Sequence, residues 1–87
     1  MDGAPFTATL NGELRAFMER RFPLVASRGL DDDAALLDSG AIDSLGLLDV
    51  VAFLEDEMGV EIDDDDMTPE NFASINELAR FVERKRA

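Results

Sequence analysis

Hydrophobic positions along the chain recur at helical spacing. Leu10, Leu14, Phe17 and Met18 fall three or four residues apart, the period of a helix with one buried face. They predict a first helix that starts at Thr9 or Asn11, runs to about Phe22 and stops at Pro23, where the ring removes a backbone donor. Gly12 weakens its first turn. Residues 23–43 then read as one long connection, with Leu30, Leu36, Leu37 and Ile42 as apolar anchors. A connection of that length in a small domain is uncommon and often functional. A second helix is predicted from about Ser44 to Met58, closed by Gly59 in the left-handed conformation. Thr68 and Pro69 read as the cap and first residue of a short third helix near Glu70–Ala73. Ser74 and Glu77 have capping-box spacing and open the last helix. Its apolar face is Ile75, Leu78, Ala79 and Val82, and its last turns hold Arg84, Lys85 and Arg86, where the helix dipole favours cations. No segment alternates like a strand. The pattern predicts an all-α fold: a single domain over residues 1–87, a small four-helix bundle with a long first loop and one short helix.

The second helix carries two apolar stripes. At about 100° per residue, Leu47, Val50, Val51, Leu54 and Met58 share the side that faces a core. Leu45, Leu48 and Ala52 lie elsewhere, beside Asp49, Glu55 and Asp56. Phe53 lies between the stripes and the pattern assigns it to neither. One reading buries both stripes in the bundle. The other makes the second stripe a docking surface, with apolar contacts for grip and carboxylates for steering. Ser44 stands at the head of this helix. It reads as a helix N-cap, and equally as a place where free N–H groups and the positive dipole end favour a phosphate on or near the hydroxyl.

Charge and composition narrow the chemistry. The net charge is −12, and residues 29–79 hold 16 acidic side chains with no Lys or Arg among them. An acidic middle repels nucleic-acid phosphates. It attracts proteins with basic patches, or serves only as a solubilising surface. Its self-repulsion should weaken with salt or magnesium. The chain has no cysteine and no histidine, which excludes disulfides, zinc-thiolate sites and a Ser-His-Asp triad. No catalytic residue of its own is identified, so the chain is not read as an enzyme. The acidic runs at Asp31–Asp33 and Asp63–Asp66 invite a calcium reading. An EF-hand loop needs a glycine sixth and a glutamate twelfth. A loop starting at Asp63 places Thr68 and Ser74 there, and one starting at Asp31 places Leu36 and Ile42. Neither fits, and no metal site is assigned. The segment MDGAPFTATL has neither a basic start nor a long apolar run, so it is not read as a signal peptide. No stretch reaches the length of a membrane span. A soluble, cytoplasmic monomer is expected.

The stretch LLDSGAIDSLGLLDVVAFLEDEMGVEI, followed by FASINELARFV, resembles the acyl carrier protein family. The likeness runs from about Leu10 to Val82, and its strongest part is Gly40, Asp43, Ser44 and Leu45. The resemblance implies 4′-phosphopantetheine attached through a phosphodiester to Ser44, flanked by Asp43 and Leu45. The thiol of that arm holds an acyl group as a thioester, which reconciles thioester chemistry with a chain lacking cysteine. Implied partners are a phosphopantetheinyl transferase, an acyl- or aminoacyl-loading ligase, and a downstream synthase or transferase. Each meets, through a basic patch, the face of Leu45, Leu48, Asp49, Ala52, Glu55 and Asp56. Fatty-acid carriers usually place an acidic residue two after the serine. Here it is Gly46, which resembles stand-alone carriers such as the D-alanyl carrier proteins. The resemblance therefore favours a discrete carrier of an acyl or aminoacyl group in a dedicated pathway over a housekeeping fatty-acid carrier. An acidic interaction domain without a prosthetic group is the alternative, and it leaves Asp-Ser-Leu at a helix start unexplained.

Overall fold

The computed structural model describes residues 9–86, so most of the segment read above as lacking a leader pattern lies outside them. Among the described residues every regular element is helical: α1 (Leu10–Arg21), α2 (Pro23–Ser27), α3 (Ser44–Glu57) and α4 (Ile75–Arg86), with 3₁₀ turns at Asp64–Asp66 and Pro69–Phe72. Thr9 settles the start of α1. Its backbone is extended and its Oγ accepts from the Gly12 N–H at 3.0 Å, satisfying one of the first-turn donors.

Pro23 corrects the sequence reading. It ends α1, but after one extended residue (Phe22) it also opens α2. Proline suits a first helical position, where its missing N–H has no partner to lose. The long connection is therefore shorter than expected, and Val25 of α2 is fully buried. The short third helix is also different. Residues Pro69–Phe72 form a 3₁₀ turn whose preceding Thr68 makes no side-chain cap. Gly59 behaves as expected, with φ of 67° ending α3, while the Met58 and Val60 N–H groups both reach the Leu54 carbonyl. At α4, Ser74 Oγ accepts from the Glu77 N–H at 3.1 Å. The Glu77 carboxylate turns to Arg80 instead of back to Ser74, so half of the capping box forms.

The core joins all four helices. Leu14 and Met18 of α1, Val50 and Leu54 of α3, and Ile75, Leu78 and Val82 of α4 are fully or almost fully buried. Phe81, absent from the expected α4 face, is buried too and packs at 5.8 Å from Phe72. Phe53 finds its place against α1, stacked on Phe17 at 4.1 Å. Phe17 in turn meets the edge of Phe22 at 6.1 Å. Phe22 then sets the start of α3. A Cβ on Gly46 would stand 2.7 Å from the Phe22 ring and 3.1 Å from the Ile42 side chain, so any other residue there requires the Phe22 ring to shift.

The acidic loop is held by polar ties. Asp32 accepts from Asn11 at 2.9 Å and from Arg15 at 2.7 Å. Its carbonyl takes the Asn76 N–H at 2.9 Å, and the Leu36 N–H reaches the Ala73 carbonyl at 2.8 Å. At the other end Lys85 pairs with Asp66 at 2.9 Å. Bases from α1 and α4 thus fold back onto the acidic middle and offset part of its repulsion.

Two outcomes follow from this packing. Gly46→Asp forces atoms into a filled space and should cost about 1–3 kcal/mol, read by urea unfolding. A loss below about 0.5 kcal/mol would mean that Phe22 yields freely. The Asp32 carboxyl is held below its ordinary range, first by the Asn11 amide and then by the Arg15 guanidinium. A lowered folded value gives stability present above the unfolded pKa of about 3.9 and lost as pH falls through the folded value. Because the pair is partly exposed, Asp32→Asn should cost at most about 1 kcal/mol at neutral pH. That difference should shrink as pH falls below about 4 and the carboxyl protonates, and a gap that stays constant into acid would contradict the assignment.

Candidate functional site

The approach to Ser44 is built by a turn and a cap. Gly40 takes φ of 79°, a conformation side chains resist. Ala41 and Ile42 then bury their side chains at 7% and 3% exposure, anchoring the turn to the core. Asp43 is extended, and its Oδ1 accepts from the Gly46 N–H at 2.7 Å. Its carbonyl takes the Leu47 N–H at 3.0 Å.

Asp43, not Ser44, is therefore the N-cap of α3. This corrects the capping role considered for the serine. Both residue types cap well, and the spacing decides between them, because Gly46 is the third helical residue counted from Asp43. Ser44 becomes the first residue of α3 and is exposed. Its hydroxyl has no capping bond to lose. The N–H groups of Ser44 and Leu45 make no hydrogen bond to the described chain. They sit at the positive end of a helix of 14 residues. These features fit a phosphodiester on the hydroxyl: an accessible oxygen, two open donors and a favourable dipole.

The second stripe of α3 lies outside the core. Leu45 and Leu48 are 74% and 59% exposed, while Ala52, Glu55 and Asp56 are exposed beside them. The reading that buries both stripes is thereby excluded. Apolar side chains that open mark contact surfaces when they cluster. Asp49 differs from the rest. It is partly covered, and its Oδ2 meets Arg21 Nη2 at 2.7 Å.

Two of the surface clefts are lined by residues of the loop or of α3. One of about 190 Å³ lies between the loop and the Pro69–Phe72 turn, lined by Ala35, Leu37, Asp38 and Ala73. The other, about 400 Å³, runs between α1 and α3 over Phe17 and Phe53, with Arg20 and Arg21 on one side and Asp56 and Glu57 on the other. The Arg21–Asp49 pair and the Phe17–Phe53 stack escaped the sequence reading, since no spacing signal ties residues brought together from different helices. Among the described residues no three carboxylates converge in a metal-binding arrangement, and no helix is long and apolar enough to cross a membrane.

An exposed serine opens a long helix whose cap is supplied by the preceding aspartate, an arrangement compatible with a prosthetic-group carrier. Residues 13–82 match the family model described as a phosphopantetheine attachment site, and the chain belongs to that family, the acyl carrier proteins, which hold 4′-phosphopantetheine covalently. It is 35% identical over 54 residues to an acyl carrier protein of Thermotoga maritima, covering 62% of this chain and 64% of that one. It is 34% identical over 59 residues to the probable acyl carrier protein PigG of a Serratia species, covering 68% of each chain. The match thus spans just under two thirds of the first relative's length.

The division between cap and serine has a stability signature. Asp43→Ala should cost about 0.5–2 kcal/mol, as loss of a cap does. Ser44→Ala should stay within about 0.5 kcal/mol of the wild type. Equal losses in urea unfolding would return the capping role to the serine.

Proposed function

We propose that Ser44 is the single attachment point of the phosphopantetheine arm, and that the protein presents an acyl or aminoacyl group to partner enzymes of a dedicated pathway. The observation that carries this reading is the free, exposed Ser44 hydroxyl on a helix already capped by Asp43. Ser74 is 6% exposed and occupied by the Glu77 N–H. Ser39 accepts from the Ala41 N–H at 3.3 Å and lies in a turn rather than at a helix start. When bound, the arm supplies the thiol that this chain lacks. The chain itself supplies the Ser44 oxygen that bonds to phosphorus and offers the open N–H groups of Ser44 and Leu45 to the phosphate, while making and breaking of the thioester falls to partner enzymes.

Partners are proposed to seat on the exposed face of α3. Leu45, Leu48 and Ala52 give apolar contact next to the serine. Glu55 and Asp56 attract a basic patch and speed encounter. A transferase, a loading ligase and a downstream synthase or transferase would each use it in turn. The protein acts as a soluble cytoplasmic monomer on this reading. The neutral residue after Leu45 supports a dedicated carrier over a housekeeping one, and Phe22 explains it physically, because a side chain at position 46 requires that ring to shift.

Intact mass after incubation with coenzyme A and a broad-specificity phosphopantetheinyl transferase tests the attachment. The wild type should gain one phosphopantetheinyl group and Ser44→Ala none. Modification of the variant to the wild-type extent would end the assignment. Leu48→Ala should keep its stability within about 0.5 kcal/mol while raising the dissociation rate from the transferase in stopped-flow binding. An unchanged rate would move the docking face elsewhere.

A further inference from the structure

The acidic side of α3 is not uniform. Asp49 lies near its middle, on the same side as Leu45 and Leu48, yet its carboxylate is met by Arg21 at 2.7 Å. Three features hold that guanidinium in place. Asp49 forms an ion pair with it. The Phe22 ring lies 5.9 Å beneath it, a distance at which cation and ring face attract. Arg21 is also the last residue of α1, at the negative end of the helix dipole. Phe22 is itself fixed against Gly46, so the arginine is tied to the element that carries Ser44. Glu55 and Asp56 stand exposed, and no ion pair engages either among the described residues.

We propose that Arg21 masks Asp49 and is a specificity-determining residue. Along this face of α3 partners then meet an apolar contact beside Ser44, neutral ground at Asp49, and an acidic contact at Glu55 and Asp56. This rests on the reading of α3 as the docking face. At 1.5 Å of rise per residue, Asp49 lies about 8 Å along the axis from Ser44, and Asp56 about 18 Å. The surface fits an enzyme with an apolar pocket close to where the arm enters and basic side chains about 17–18 Å further along. An enzyme that places its bases next to the arm must first displace Arg21, which lowers its association rate. The pair is exposed on both sides, with side chains 56% and 41% accessible. Exposed pairs are weak, so the discrimination is about two- to five-fold in rate rather than an absolute block.

The test is kcat/KM for modification by the same transferase with coenzyme A at low salt, for folded variants checked by circular dichroism. Arg21→Gln should raise it about two- to five-fold, and the gain should vanish at high salt as screening shortens to a few ångströms. In an Asp49→Asn background the Arg21→Gln gain should be absent. Arg20→Gln removes the same charge from the neighbouring position and should give less than half the gain. Asp56→Asn should slow modification more than Asp49→Asn does. A gain that persists without Asp49, or that Arg20→Gln reproduces in full, reduces Arg21 to bulk charge and overturns the masking. If Leu48→Ala and Asp56→Asn both leave kcat/KM unchanged, the docking reading fails and takes this inference with it. If they slow the reaction but Arg21→Gln does not speed it, the masking alone fails.

Discussion

A single hydrogen bond organises the site: the Asp43 carboxylate on the Gly46 N–H, at 2.7 Å. A helix start needs its open donors satisfied, and in this chain the residue before the serine does that work. The serine is thereby released from structure and placed one step inside the helix, with its hydroxyl outward and two backbone donors beside it. Under the proposed attachment, phosphodiester formation and helix capping do not compete for one oxygen. The glycine that donates the bond is also the residue that lets the Phe22 ring come close, so capping and packing fix the same turn from two directions.

The remainder of the molecule keeps that turn in position. Ala41 and Ile42 tie it to the core from the loop side. The loop is tied to α1 and α4 through Asn11, Arg15 and Asn76, all of which converge on Asp32 or its neighbour Asp33. Acidic residues that invite a calcium reading as sequence are here hydrogen-bond acceptors that close a loop. The same economy holds on α3, where one side packs on the core and the other stays open as apolar and acidic surface. An excess of negative charge is tolerated because bases near both ends of the described chain return to it, leaving the end of α3 as acidic ground.

Much of this was legible in the sequence. Helical spacing located α1, α3 and α4 within a residue or two, and the wheel separated Leu45 and Leu48 from Val50 and Leu54 correctly. The acidic, cysteine-free composition and the Gly-x-x-Asp-Ser-Leu run pointed to the family. The misses have physical causes. A proline both stops a helix and suits the first position of the next, so Pro23 read as an end hid α2. Aspartate and serine are near-equal caps, so only geometry assigned the role to Asp43. Phe81 lies beside the expected stripe of α4 and is buried because Phe72 comes to meet it. Arg21 and Asp49 are far apart in the chain, and no local periodicity reports a pair brought together by tertiary packing. Gly46 looked like a family trait, and the structure adds the steric reason for it.

The central claim is that Asp43 holds the helix while Ser44 carries the group, and backbone amide shifts test it directly. Two-dimensional ¹H–¹⁵N spectra of the protein before and after phosphopantetheinylation should show the largest changes at Ser44 and Leu45. The Gly46 amide should move little, because its hydrogen remains on the Asp43 carboxylate. Changes centred on another serine, or a Gly46 shift as large as that of Leu45, would contradict the account.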